Sequence, residues 1–156
     1  MEKVEMVRVV MSFLGSLGFG MIFNMKKRHL LAAAAGGMFS WILYCIFESY
    51  TGDLFLATLC ASFFSVLYSE ILARIRRCPA NLYVIISLIP LFPGGSLYYM
   101  MSNAVQKQWE ISKVYGSELM MYALGLAMGI CLMSALLDLF HQLYRRGKKW
   151  LLHINI

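Results

Sequence analysis

Five long apolar runs, at 9–23, 30–47, 54–72, 82–101 and 119–143, divide the chain, and most of its charges fall in the turns between them. A helix needs about 20 predominantly apolar residues to cross a bilayer. The last four runs come close to that length, and the first reaches it when extended back to residue 4 with Arg8 snorkelling outward. The pattern predicts an all-α membrane protein, a bundle of five transmembrane helices over about 4–23, 30–47, 54–72, 82–101 and 119–143, forming one domain over residues 1–156. Charges of both signs precede the first run and a basic cluster follows it, which is unlike a cleaved leader. Between 102 and 118, Val105, Trp109 and Ser112 fall on one helical face, which predicts a short amphipathic helix over about 103–114 on the outer surface.

The fourth run is interrupted. Pro90-Leu91-Phe92-Pro93-Gly94-Gly95-Ser96 places two prolines and a glycine pair where a spanning helix would be most regular. In hydrocarbon each freed backbone group costs several kcal/mol unless protein or trapped water satisfies it. A break at that depth is therefore either a kink that shapes the bundle or the lining of a cavity, and interrupted helices of this kind mark transport sites.

Composition closes off a soluble alternative. With 60% hydrophobic and 14% charged residues and a mean hydropathy of +0.67, too little polar surface remains to cover a soluble domain. The net charge of +6 is a topology signal. Lys26, Lys27, Arg28, Arg74, Arg76, Arg77, Arg145, Arg146, Lys148 and Lys149 fall on one side of a five-span chain, leaving Lys3, Arg8, Lys107 and Lys113 on the other. The excess of basic residues in cytoplasmic loops then predicts an N-terminus outside and a C-terminus in the cytoplasm. Basic residues confined to short membrane-adjacent turns argue against nucleic acid as a partner.

Small and hydroxylated residues recur at helical spacing: Ser12, Ser16 and Gly20; Ala33, Gly37 and Ser40; Gly125 and Gly129; and Thr58, Ser62, Ser65 and Ser69 along one face of the third run. Such stripes serve either close helix packing or the polar lining of a permeation path. Two carboxylates lie inside apolar runs, where they are costly and are either paired or functional. Glu70 has Arg74 four residues on, suited to an ion pair. Asp138 shares a face with Ala127, Cys131, Ser134 and His141, and is either a proton- or substrate-linked carboxylate or a partner of the basic turn at 145–149. Cys45, Cys60, Cys78 and Cys131 show no metal or disulfide spacing, and no nucleotide-binding, hydrolase or metalloprotease motif is present, so neither an enzyme nor a cofactor is expected.

Glu70-Ile71-Leu72-Ala73-Arg74, Cys78-Pro79-Ala80 and Ile89-Pro90-Leu91-Phe92-Pro93-Gly94-Gly95-Ser96-Leu97-Tyr98-Tyr99 together resemble the C-terminal membrane half of the threonine/serine exporter family. Phe92 stands where that pattern carries a smaller aliphatic residue. The resemblance implies a small separate chain, similar to the small subunit of a bacterial two-component succinate exporter. It further implies a larger membrane subunit as partner, assembly as a hetero-oligomer with several copies, and residence in the bacterial inner membrane. On this reading Pro90, Pro93, Gly94, Gly95 and Ser96 bind the substrate. The N–H groups of Gly95, Ser96 and Leu97, at the positive end of a restarted half-helix, would face a carboxylate, whether of threonine or serine or of a dicarboxylate such as succinate. Asp138 and Glu70 are the candidate proton carriers, with Arg74 as ion-pair partner. The competing class is a non-transporting scaffold subunit that stabilises a larger partner.

Overall fold

The computed structural model describes the backbone of residues 2–154 and the side chains of 5–143. The basic residues Arg145, Arg146, Lys148 and Lys149 lie outside the described side chains. Six α-helices follow one another: α1 (Glu2–Ile22), α2 (Lys27–Thr51), α3 (Leu54–Arg76), α4 (Ala80–Leu88), α5 (Gly94–Val105) and α6 (Trp109–Ile154), with a 3-10 turn at Ile89–Leu91 between α4 and α5. Four of them are long and apolar enough to cross a membrane, and a fifth crossing exists if α4 with its 3-10 turn and α5, bent by 54° at the break, make one span.

The turns explain why the long runs stop where they do. After α2, Gly52 takes a left-handed conformation at φ 64° and its N–H closes on the Glu48 carbonyl at 2.9 Å. Asp53 then caps α3, its Oδ1 accepting from the Phe55 N–H at 3.1 Å. At the other end of α3, Arg77 is left-handed at φ 52° and the Cys78 N–H reaches back to the Ala73 carbonyl, after which Pro79 starts α4. Both this turn and the one before Lys27 carry basic residues, so they mark one end of the bundle, called here the basic end.

The expected separate helix over 103–114 is not formed. Residues 103–105 finish α5, Lys107 turns the chain at φ 60°, and Trp109 onward belongs to α6. The predicted face divides: Val105 and Trp109 are exposed, while the Ser112 hydroxyl donates to the Met100 carbonyl at 2.9 Å, and beside it Tyr99 stacks on Tyr115 with ring centroids 5.4 Å apart. α5 and the start of α6 thus form a tight antiparallel hairpin.

Helix packing accounts for the small-residue stripes. A Cβ added at Gly129 would stand 2.6 Å from the Leu59 carbonyl, and one at Gly125 would stand 2.8 Å from the Phe55 carbonyl, so the two glycines are what let α6 lie directly on the backbone of α3. Thr58, Ser62, Ser65 and Ser69 are all buried. Thr58 and Ser62 donate to carbonyls of their own helix, those of Leu54 at 2.7 Å and Leu59 at 3.0 Å. Ser65 meets the hydroxyl of Ser40 across the α2–α3 interface. Around them Tyr44, Ala57, Ala61, Leu88, Leu91 and Leu126 form the main core. A second core toward the basic end gathers Ala33, Ala73, Tyr83 and Ile86, where the Tyr83 hydroxyl bonds His29 Nδ1 at 2.7 Å.

Candidate functional site

The broken span changes character at residues 92–93. Pro90 has no N–H to give to the helix, and the chain tightens into the 3-10 turn, with the Phe92 N–H bonding the Ile89 carbonyl at 3.2 Å. Phe92 is then extended, at φ −67° and ψ 128°, and Pro93 leads into α5. The break lies deep in the bundle, since the Pro90 ring comes within 3.2 Å of the Cβ position of Gly37, near the middle of α2.

At the start of α5 the Gly94 N–H bonds the Phe92 carbonyl at 2.8 Å, and the Leu97 N–H bonds the Pro93 carbonyl at 3.1 Å. Leu97 is therefore not among the free donors expected there. The N–H groups of Gly95 and Ser96 find no acceptor among the described residues. Neither Gly94 nor Gly95 has positive φ, and a Cβ on either would meet nothing within 4 Å. The fold of this chain does not itself require these glycines, and the space over them is open.

A sequence reading that stopped at the break missed Glu118. The Ser96 hydroxyl donates to Glu118 Oε2 at 3.3 Å, so a carboxylate of the chain itself stands beside the first turn of α5. Close by, the Tyr44 and Tyr122 hydroxyls bond each other at 2.6 Å and join α2 to α6.

Two cavities flank α6. The first, about 440 Å³, lies at the break between Phe92, Pro93, Gly94 and Leu97 on one side and Leu119, Ala123, Leu126, Ala127 and Ile130 of α6 on the other. Its walls are apolar. The second, about 340 Å³, lies toward the basic end, where α4 supplies Ala80, Asn81 and Val84, α3 supplies Val66, Glu70 and Arg74, and α6 supplies Ser134, Leu137, Asp138 and His141. The α6 positions 119, 123, 126/127, 130, 134, 137/138 and 141 step by threes and fours and so belong to one face of the helix. Both cavities open on that face, the apolar one at the break and the polar one, called here the polar mouth, toward the basic end. None of the four hydroxyls of the α3 stripe lines either cavity.

The polar mouth brings Glu70, Arg74 and Asp138 together. Glu70 Oε1 accepts from Arg74 Nε at 3.1 Å and from Nη2 at 3.0 Å. Asp138 has no ion-pair partner among the described residues. His141, which shares its helical face, does not bond it. Instead its Nδ1 faces Arg74 Nη2 at 3.1 Å, a contact between residues too distant in sequence for any local pattern to suggest. Pro90, Pro93, Gly94, Gly95 and Ser96 lie together at the break, one cavity away from this cluster.

Several helices long and apolar enough to cross a membrane, with one span broken beside a cavity, are the architecture of a polytopic membrane protein. A family model described as "Threonine/Serine exporter, ThrE" matches residues 8–136, and the chain belongs to that threonine/serine exporter family. No curated protein and no solved structure matches it.

Proposed function

We propose that the chain is the small subunit of a two-component secondary exporter of small carboxylate-bearing metabolites, with the cavity-lining face of α6 as its share of the path. The observation that carries the proposal is that single face of α6, which together with the broken span lines cavities from the break to the basic end. The apolar faces left exposed by α1 (Met6, Val10, Leu14) and α5 (Leu97, Tyr98, Met101) fit lipid and a larger membrane subunit in a hetero-oligomer. The basic turns favour a cytoplasmic C-terminus in a bacterial inner membrane, with the polar mouth facing the cytoplasm.

Charge selects between the substrate classes. With His141 neutral, Glu70, Arg74 and Asp138 give the described lining of the mouth one net negative charge, which opposes a dicarboxylate such as succinate. An amino acid such as threonine or serine suits it better, its ammonium toward Asp138 and its carboxylate toward Arg74 and then the free N–H groups of Gly95 and Ser96. Pro90, Pro93, Gly94, Gly95 and Ser96 form the substrate station at the break, and Asp138 is the proton-linked group, with the Glu70–Arg74 pair beside it.

Co-reconstitution with the larger subunit, followed by flux of labelled threonine, serine and succinate, tests this. Flux is expected only with both chains present and to favour the amino acids. Full flux from this chain alone would refute the two-component assembly, and no flux from the pair would leave a scaffold role. Asp138→Asn keeps the side-chain shape and removes the proton, so substrate binding is expected to persist while pH-gradient-driven flux stops. Normal gradient-driven flux in that variant would remove Asp138 from coupling.

A further inference from the structure

The bond between Arg74 and His141 has a chemical condition attached. A guanidinium is all donors, keeps its proton in proteins and offers no acceptor. At 3.1 Å from Arg74 Nη2, Nδ1 of His141 must therefore present its lone pair, which makes the imidazole neutral with its proton on Nε2. A proton added at Nδ1 converts donor and acceptor into two cations in contact.

The charged groups around His141 decide where it would turn. On α3 they are Glu70, already holding Arg74 through Nε and Nη2, and Arg74 itself. On α6, Asp138 precedes His141 by one turn and lines the same cavity, and Arg145 follows by one turn, its side chain outside the described residues. α4 contributes Asn81 and no ionisable side chain to that lining. An imidazolium is repelled by Arg74 and attracted to Asp138, its i,i−3 neighbour on the same helix.

We propose that His141 is a proton-operated latch, which when neutral ties α6 to α3 through Arg74 at the polar mouth, and when protonated releases Arg74, pairs with Asp138 and frees the end of α6 beyond the buried Met133. The proposal rests on the transport reading for its purpose but not for its test. The latch holds while the imidazole is neutral and is lost on its protonation. The Arg74 side chain is 52% exposed, so the latch biases an equilibrium rather than locking it.

The test uses the full-length chain in lipid nanodiscs, with Cys45, Cys60, Cys78 and Cys131 replaced by alanine and spin labels at Ile75→Cys on α3 and Leu139→Cys on α6. Pulsed electron–electron distance measurements are made near pH 8 and near pH 5. With His141 present, a longer-distance population should grow by up to about fivefold at the lower pH, the scale of an exposed pair. His141→Gln, whose amide oxygen still accepts from Arg74, should stay short at both, and His141→Lys, permanently charged, should be long at both. A pH response that survives in His141→Gln, or none with His141 present, overturns the latch. Flux on the same protein with its partner separates the two claims: a pH-dependent distance without flux upholds the latch and removes the transport function, while flux with a pH-independent distance does the reverse.

Discussion

The two halves of the broken span are both apolar, α4 more so than α5 with its glycines, serines and Asn103, and they have opposite fates. α4 and its 3-10 turn bury Tyr83, Ile86, Ser87, Leu88 and Leu91 among α1, α2 and α3, whereas α5 buries none of its residues and packs chiefly on α6. Phe92, where the span changes direction, is 61% exposed, and Val105 at the far end is 84% exposed. Hydrophobicity alone does not dock a helix in a membrane, because lipid satisfies an apolar side chain as well as protein does. Small residues and hydroxyls on the facing helices dock one half. The other half has only α6 beside it, where Ser112 and Gly116 meet Met100, and holds its site open.

The sharpest way to break this contrast is a matched pair of truncations. Tyr83→Ala removes a fully buried ring and its bond to His29, and is expected to cost about 3–5 kcal/mol in unfolding from mixed micelles. Tyr98→Ala on α5 should stay within about 0.5 kcal/mol. Equal losses would show that α5 is as firmly seated as α4. Next in size is a glycine pair. Gly129→Val drives a side chain into the α3 backbone and should cost about 1–3 kcal/mol with reduced folded yield. Gly95→Val meets open space, so folded yield should be unchanged while substrate flux falls. Loss of yield in Gly95→Val, or normal flux, would end the argument that this space is reserved for a ligand.

The smallest effect is expected at the contact that steadies the open half. Glu118→Gln weakens the bond from Ser96 and the favourable placement of a negative charge beside the α5 N-terminus, and should lower stability by about 1 kcal/mol or less. Its larger consequence should be in binding: with that carboxylate neutralised, affinity for labelled threonine should rise severalfold if the substrate carboxylate competes for the same N–H groups. Unchanged affinity would place the substrate elsewhere along α6.

Much of this arrangement could be anticipated from the sequence, for reasons that also explain the failures. Long apolar runs separated by short charged turns leave few ways to cross a bilayer, and prolines with glycines inside one run announce the break. The stripe from Thr58 to Ser69 shows one face without naming its neighbour, and the neighbours proved to be α2 and α6. The expected separate helix at 103–114 failed because the turn at Lys107 divides its residues between the end of α5 and the start of α6, a break that helical spacing alone does not reveal. Glu118 and the Arg74–His141 contact were missed because each depends on helices meeting in space. The Glu70–Arg74 pair was visible because it is local to one turn.

The length of α6 has a mechanical consequence. Its 46 residues make a rod of about 69 Å, more than twice the thickness of the hydrocarbon layer, and near its middle Gly125 and Gly129 seat it on α3. Smooth glycine bearings resist sliding and tilting less than interlocked large side chains do. A rock of about 5° about Gly129 would carry Trp109, roughly 30 Å away, through 2–3 Å, about the length of one hydrogen bond. The hairpin with α5 would swing with it, and the opposite arm, bearing Asp138 and His141, would move the other way. A seesaw of this kind would let a single bond made or broken at the polar mouth be felt at Glu118 beside the break.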